Sequence, residues 1–149
     1  MNEAEIIRSV QHVARQNPGA KFLMAQTVNL LRSERPHYDW VGIYLLRDGE
    51  LILGPYLGKL TPHTRIPLNQ GICGAAASSG QTIVVDDVHA DPRYLACSLE
   101  TRSEIVVPII HNGRVLGEID VDSDTSAAFT DADRLLLEAV SAILASNIA

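Results

Sequence analysis

The sequence predicts an α+β fold, an antiparallel β-sheet with helices packed on one face and a ligand pocket on the other. Three observations predict it. Helical apolar periodicity occupies both ends of the chain. Two hairpin-turn signals, Asp48-Gly49 and Asn112-Gly113, fall between those ends. The segments flanking these turns alternate with the two-residue period of strands.

Residues 3–17 carry Ile6, Ile7, Val10, Val13 and Ala14 at helical spacing, and Asn17-Pro18-Gly19 breaks the pattern. A second helix over 20–35 presents Phe22, Leu23, Val28 and Leu31, and Pro36 ends it. Residues 39–46, DWVGIYLL, alternate. Val41, Ile43 and Leu45 form one face, while Trp40, Gly42 and Tyr44 form the other. The common role of such an aromatic pair is core packing; as the wall of a ligand pocket, Gly42 would leave room between the rings. Asp48-Gly49 then turns the chain into a strand over 51–57.

GKLTPHTRIPLNQG reads as a loop, and 71–79, GICGAAASS, as a short helix with Cys73 in its first turn. A strand over 82–86, a loop over 86–93 and a single helical turn over 94–97 follow. EIVVPII, 104–110, is apolar on both faces, which predicts a strand covered on both sides. Pro108 within it implies an edge or a bulge. Beyond Asn112-Gly113, Val115, Gly117, Ile119 and Val121 fall on one face, and Leu116, Glu118, Asp120 and Asp122 on the other. Thr130 caps the last helix, whose stripe of Leu136, Leu137, Val140, Ile143, Leu144 and Ile148 is wide enough to pack on both the sheet and the first helices, or on another subunit.

The chain has 149 residues, a net charge of −6 and no clustered basic face, which argues against nucleic acid. No apolar run approaches the ~20 residues of a membrane span. MNEAEIIRSV does not read as a signal peptide, so the expected location is cytoplasmic. Two cysteines 24 positions apart are too few for a disulfide scaffold. A zinc site from Cys73, Cys97 and His89 lacks ligand spacing, so no metal is expected.

The chemistry-bearing residues sit around YLACSLETRSEIVVP. Asp120 and Asp122 project from one strand face, with Glu118 beside them. In water they are a solvated edge; covered, they repel each other and at least one pKa rises. An ideal two-residue Asn112-Gly113 loop pairs Glu104 with Val121 and puts Glu104 on the opposite face. For Glu104 to join the two aspartates, either a bulge is needed, for which Pro108 is one place, or the strand must end before Glu104. Cys97 lies in a polar loop and suits a reactive thiol, whereas Cys73 at a helix start is open to pKa lowering by the dipole. The ordinary role of each is a small packed residue.

WVGIYLL, LGPYLGK, RIPLNQGICGAA, DDVHADPRYLACSLETRSEIVVPI, GRVLGEIDVDS and FTDADRLLLE together resemble the free methionine-(R)-sulfoxide reductases, which are single GAF domains. The resemblance covers about residues 40–137. It implies one GAF domain over 1–149, with helices over 1–36, sheet and pocket over 39–123 and a last helix over 130–148. It implies Cys97 as catalytic cysteine, Trp40 and Tyr44 as pocket aromatics, and Glu104, Asp120 and Asp122 as acids that bind substrate and polarise the sulfoxide. It further implies no cofactor, a thioredoxin-type reductant and a homodimer. The family's third cysteine, just before the RIP motif, is missing from GKLTPHTRIP, which leaves Cys73 to resolve oxidised Cys97. Two other readings stay open: a non-catalytic GAF sensor module, and a reductase of another small sulfoxide or oxidised thiol.

Overall fold

In the computed structural model, residues 1–96 and 98–149 are described. Two helices, α1 (Glu3–Arg15) and α2 (Ala20–Glu34), lead into β1 (Trp40–Arg47) and β2 (Glu50–Leu57). β3 (Arg65–Pro67), α3 (Gly71–Ser79) and β4 (Ile83–Val85) form the middle. β5 (Ser103–His111), β6 (Arg114–Ser123) and α4 (Asp131–Ile148) complete the order. The strands form one antiparallel sheet in the order β3-β2-β1-β6-β5-β4. Both predicted hairpins are present. Asp48, Gly49, Asn112 and Gly113 all take positive φ, as the tight turns that match strand twist require.

The sheet is covered on both faces, as the doubly apolar 104–110 run predicts. On one face α1, α2 and α4 enclose Val41, Ile43, Ile105, Val107, Ile119 and Val121. On the other, the middle segment lays Ile66, Ile72, Cys73, Ala76 and Val88 over Trp40, Tyr44 and Val106. At the junction of α2 and β1, Tyr38 donates a 2.7 Å hydrogen bond to Asp133, which also accepts from the Thr130 backbone N–H at 2.8 Å. That pair fixes the start of β1 to the first turn of α4.

Three expectations are corrected. The segment read as one loop contains β3, an edge strand held by Glu50–Ile52 pairing rather than by any pattern of its own. Residues 94–96 form no helical turn, and Cys97 lies outside the described residues. The β5–β6 register is the third. Ile109 pairs with Gly117 and Ile110 with Val115, so Leu116 is an extra residue without a partner. Because strand side chains alternate, one extra residue exchanges the faces of everything beyond it. Leu116 therefore packs against the helix-side core and Val115 against the other, the reverse of the uninterrupted alternation. Glu104 now opposes Asp122 rather than Val121. Pro108 itself is not the bulge. It lies past the end of β4, whose last pairing toward the turn is Ile83 with Val106, so its missing N–H costs no bond on that side.

Candidate active site

The register builds the site in rows. Trp40, Asp122 and Glu104 lie across neighbouring strands β1, β6 and β5; Gly42, Asp120 and Val106 form the next row, and Tyr44, Glu118 and Pro108 the next. Alternation on β1 and β6 sends the aromatics and acids to the face covered by α3. The four carboxyls are out of water: Glu118 is 0%, Asp120 3%, Asp122 3% and Glu104 6% exposed.

Gly42 leaves room, but its own strand fills it. A Cβ at Gly42 would overlap the six-membered ring of Trp40 and sit 3.1 Å from Tyr56 Cβ. The indole lies flat over the glycine, stacks on Tyr56 (centroids 5.5 Å, 23° between planes) and donates from Nε1 to the Lys59 carbonyl at 3.0 Å. Gly42→Ala is expected to displace this ring. Trp40 is the only tryptophan, so a shifted emission maximum reports the movement directly. The overpacking should cost about 1–3 kcal/mol in a denaturant titration. An unchanged spectrum and midpoint would contradict the packing described.

Tyr44 donates to the His63 carbonyl at 2.7 Å, and the His63 ring Nε2 lies 3.0 Å from the Ala96 carbonyl. The β2–β3 loop thus ties the residue preceding Cys97 to the pocket wall. On the far side, an exposed Lys59–Glu100 ion pair of 3.0 Å links the β2 end to the segment after Cys97. Two cavities follow the acid row. One of about 380 Å³ is bounded by Trp40, Asp122, Asp39, Arg32, Lys59 and Thr101. A void of about 20 Å³ lies deeper, against Tyr44, Cys73, Leu95, Glu104 and Asp120.

Burial raises the pKa of all four carboxyls. Repulsion from Asp120 lifts Glu104, Glu118 and Asp122 further. Asp120 is raised less, because Glu104 and the Cys73 thiol hydrogen-bond to it and favour its anion. The hydrogen bonds of Glu104 to Asp120 and Asp122 raise Glu104 and favour the anion of each aspartate. One oxygen each of Asp120 and Asp122 is buried with no hydrogen-bond partner among the described residues. Those two oxygens are open acceptors for a cationic group.

Cys73 departs from the helix-start expectation. It is 5% exposed, and burial pushes its thiol well up, with Asp120, Glu118 and Glu104 adding to the shift. Three nearby carboxyls outweigh the end of a nine-residue helix. His89 lies 2.8 Å from the Arg102 guanidinium and packs edge-on against Tyr94. Cys73 Sγ and one oxygen each from Glu104 and Asp120 do lie within 4.8 Å of one another.

The structure thus brings Trp40, Tyr44, Cys73, Glu104, Asp120 and Asp122 to one face. Two further residues join them. Glu118 continues the two-residue spacing of the aspartates and could have been singled out on that ground; His63 sits in a loop with no signal.

The raised carboxyl pKa values carry a stability consequence. A carboxyl raised in the folded state above its ordinary 3.8 or 4.5 contributes stability that is complete below those values and is lost as pH rises through the folded ones. The free protein is expected to melt at a lower temperature at pH 8 than at pH 5, and thermal scans across that range check it. A midpoint that rises with pH would contradict the burial of the cluster.

The family model described as GAF domain matches residues 23–148. The free methionine-R-sulfoxide reductase of Escherichia coli is 38% identical over 110 residues, 74% of this chain and 66% of that protein. The chain thus spans a little less than two thirds of that relative. The X-ray structure of free methionine-R-sulfoxide reductase from Neisseria meningitidis in complex with its substrate superposes with a TM-score of 0.93 at 37% identity, covering 98% of this chain and 87% of that one. The type II free methionine-R-sulfoxide reductase of Thermoplasma acidophilum gives 0.85 at 39% identity, covering 87% and 92%.

Proposed function

Because the chain belongs to the GAF domain family, and within it to the free methionine-(R)-sulfoxide reductases, we propose that it reduces free methionine-(R)-sulfoxide to methionine with Cys97 as nucleophile. The observation that carries this reading is the buried acid row facing Trp40, whose carboxyls are raised by burial and which leaves two acceptor oxygens open. The substrate's ammonium pairs with Asp120 and Asp122, and Trp40 and Tyr44 supply the apolar wall. Cys97 thiolate attacks the sulfoxide sulfur while Glu104 gives a proton to the oxygen. Methionine leaves, and Cys97 becomes a sulfenic acid. The Cys73 thiol condenses with it, releasing water and forming a disulfide, which a thioredoxin-type dithiol reduces. Protein dithiols of that kind belong to a reducing compartment, here the cytoplasm. The α4 stripe is taken up by the chain's own core, and the exposed apolar residue of that helix, Leu135 at 67%, supports a homodimer, which light scattering on a sizing column tests.

The decisive experiment mixes reduced protein with free methionine-(R)-sulfoxide and counts thiols lost and methionine formed. Two thiols lost per methionine is the expected result. Binding by calorimetry without methionine would favour the second reading, a non-catalytic GAF sensor module. One observation favours that reading: Cys73 is buried and protonated, so resolution needs the site to open. Cys73→Ser is expected to complete about one turnover per chain and then slow at least tenfold with thioredoxin as reductant. Steady recycling at the unmodified rate would remove Cys73 from the cycle.

A further inference from the structure

Glu118 is the one carboxyl of the row that the reaction above does not use. It is 0% exposed, and neither of its oxygens makes a regular hydrogen bond among the described residues. A buried carboxyl left in that state is costly, and a valine or leucine at the same strand position would avoid the cost. Its polar neighbours are the Asp120 carboxyl and the Cys73 thiol.

The order of groups along the sheet is informative. Glu118, Asp120 and Asp122 are two residues apart on β6, steps of roughly 6.6 Å, so neighbouring carboxyls on the strand need an intermediary. Each gap has one. The Cys73 thiol, reaching down from α3, lies between Glu118 and Asp120 and interacts with both. The Glu104 carboxyl, from β5, bridges Asp120 and Asp122. The sequence Glu118, Cys73, Asp120, Glu104, Asp122 is therefore one line of proton-bearing groups. It runs from the closed interior to the wall of the 380 Å³ cavity. Among the described residues two further titratable groups lie beside it: Tyr44 on β1, whose hydroxyl donates to the His63 carbonyl, and His63, whose ring Nε2 lies 3.0 Å from the Ala96 carbonyl.

We propose that Glu118 is a further positioning residue for the reduction, an interior proton store that exchanges with Asp120 and Glu104 through the Cys73 thiol. The proposal rests on the reductase reading. In the first step the sulfoxide oxygen takes a proton from Glu104, and Glu118 replaces it along the line. In the second step Cys73 loses its proton as its sulfur attacks the sulfenic sulfur. The S–O bond breaks, and the hydroxyl leaves with that proton as water. Glu118, emptied in the first step, is refilled when the thioredoxin-type dithiol reduces the disulfide: of the two protons the dithiol brings, one restores the Cys73 thiol and the other passes along the line to Glu118, leaving Cys97 a thiolate.

Glu118→Gln keeps shape and removes proton exchange. Its kcat is expected to fall 10- to 100-fold with KM for free methionine-(R)-sulfoxide within about twofold, and its pH–kcat profile to lose the limb belonging to Glu118. A second readout needs no turnover. In a Cys97→Ser background, thiolate absorbance between pH 7 and 11 follows Cys73 alone. Adding Glu118→Gln is expected to move that titration to lower pH, because a neighbouring negative charge and acceptor are gone. Glu118→Leu, which fills the site with an apolar side chain, should give the same kcat loss if the Gln variant folds poorly. Unchanged kcat and an unmoved Cys73 titration in active protein would overturn the proposal alone. So would a loss shared equally by kcat and substrate binding, the mark of a merely structural role. Unmodified protein that forms no methionine would overturn the reductase reading, and this proposal with it.

Discussion

Asp120→Asn is expected to make the free protein more stable and nearly inactive. Burial is the largest cause opposing charge on Asp120, while hydrogen bonds from Glu104 and Cys73 favour its anion. An amide of the same shape removes the anion, still accepts from Glu104 and Cys73, and relieves the repulsion that lifts Glu104, Glu118 and Asp122. Replacing an unpaired buried charge in this way should stabilise by about 1–2 kcal/mol, or about 3–6 °C for a chain of this size. The gain should be larger at pH 8 than at pH 5, since the native charge that is removed exists mainly at the higher pH. Activity moves the other way. Without the anion the ammonium loses its partner, and kcat/KM should fall about 100-fold or more, a 2.7 kcal/mol change or greater. Scanning calorimetry at both pH values and steady-state methionine formation check the pair of effects. A variant less stable at pH 8 would contradict the account of the site as electrostatically strained.

Cys97→Ser is expected to abolish methionine formation, to below about one part in 10⁴ of the unmodified rate, while calorimetric affinity for the sulfoxide stays within about threefold. A hydroxyl is far less ionised than a thiol near neutral pH and cannot form the sulfenic acid. The binding groups Trp40, Asp120 and Asp122 belong to the sheet, and their positions do not depend on the residue at 97. The contrast with Cys73→Ser is the informative part: one variant loses the first turnover, the other the second. Residual single-turnover activity in Cys97→Ser would assign the attack to another group.

Much of this site is legible in the sequence because its information is local. Alternation along DWVGIYLL is enough to put Trp40 and Tyr44 on one side, and alternation along GEIDVDS does the same for Asp120 and Asp122. The two turn dipeptides set the hairpins for the same reason. What alternation cannot supply is anything decided between segments. The relation of Glu104 to the aspartates depends on whether Leu116 is paired, and a leucine in a strand carries no mark of being the extra residue. The state of Cys73 depends on where α3 docks. Its position in the helix argues for a lowered pKa, and its neighbours across the sheet reverse the sign. β3 exists because β2 offers it an edge, not because RIP favours a strand. Glu118 was visible as one more acid in the series; its exclusion from water was not.

The unpaired Leu116 also sets a rule of parity for how this hairpin can change length. Between the Asn112-Gly113 turn and Leu116, residues can be gained or lost at the tip without disturbing the acid row. On the other side of Leu116 the strand tolerates only even steps, because a single insertion or deletion would turn Glu118, Asp120 and Asp122 toward α4 and carry Ile119 and Val121 into the pocket. Deleting Leu116 itself is the one odd step the strand can absorb, because it removes the unpaired residue, restores a regular ladder and leaves Glu104 opposite Asp122. Length variation among homologous chains should therefore collect at the turn and respect even counts beyond it, a pattern imposed by geometry before any selection on individual side chains.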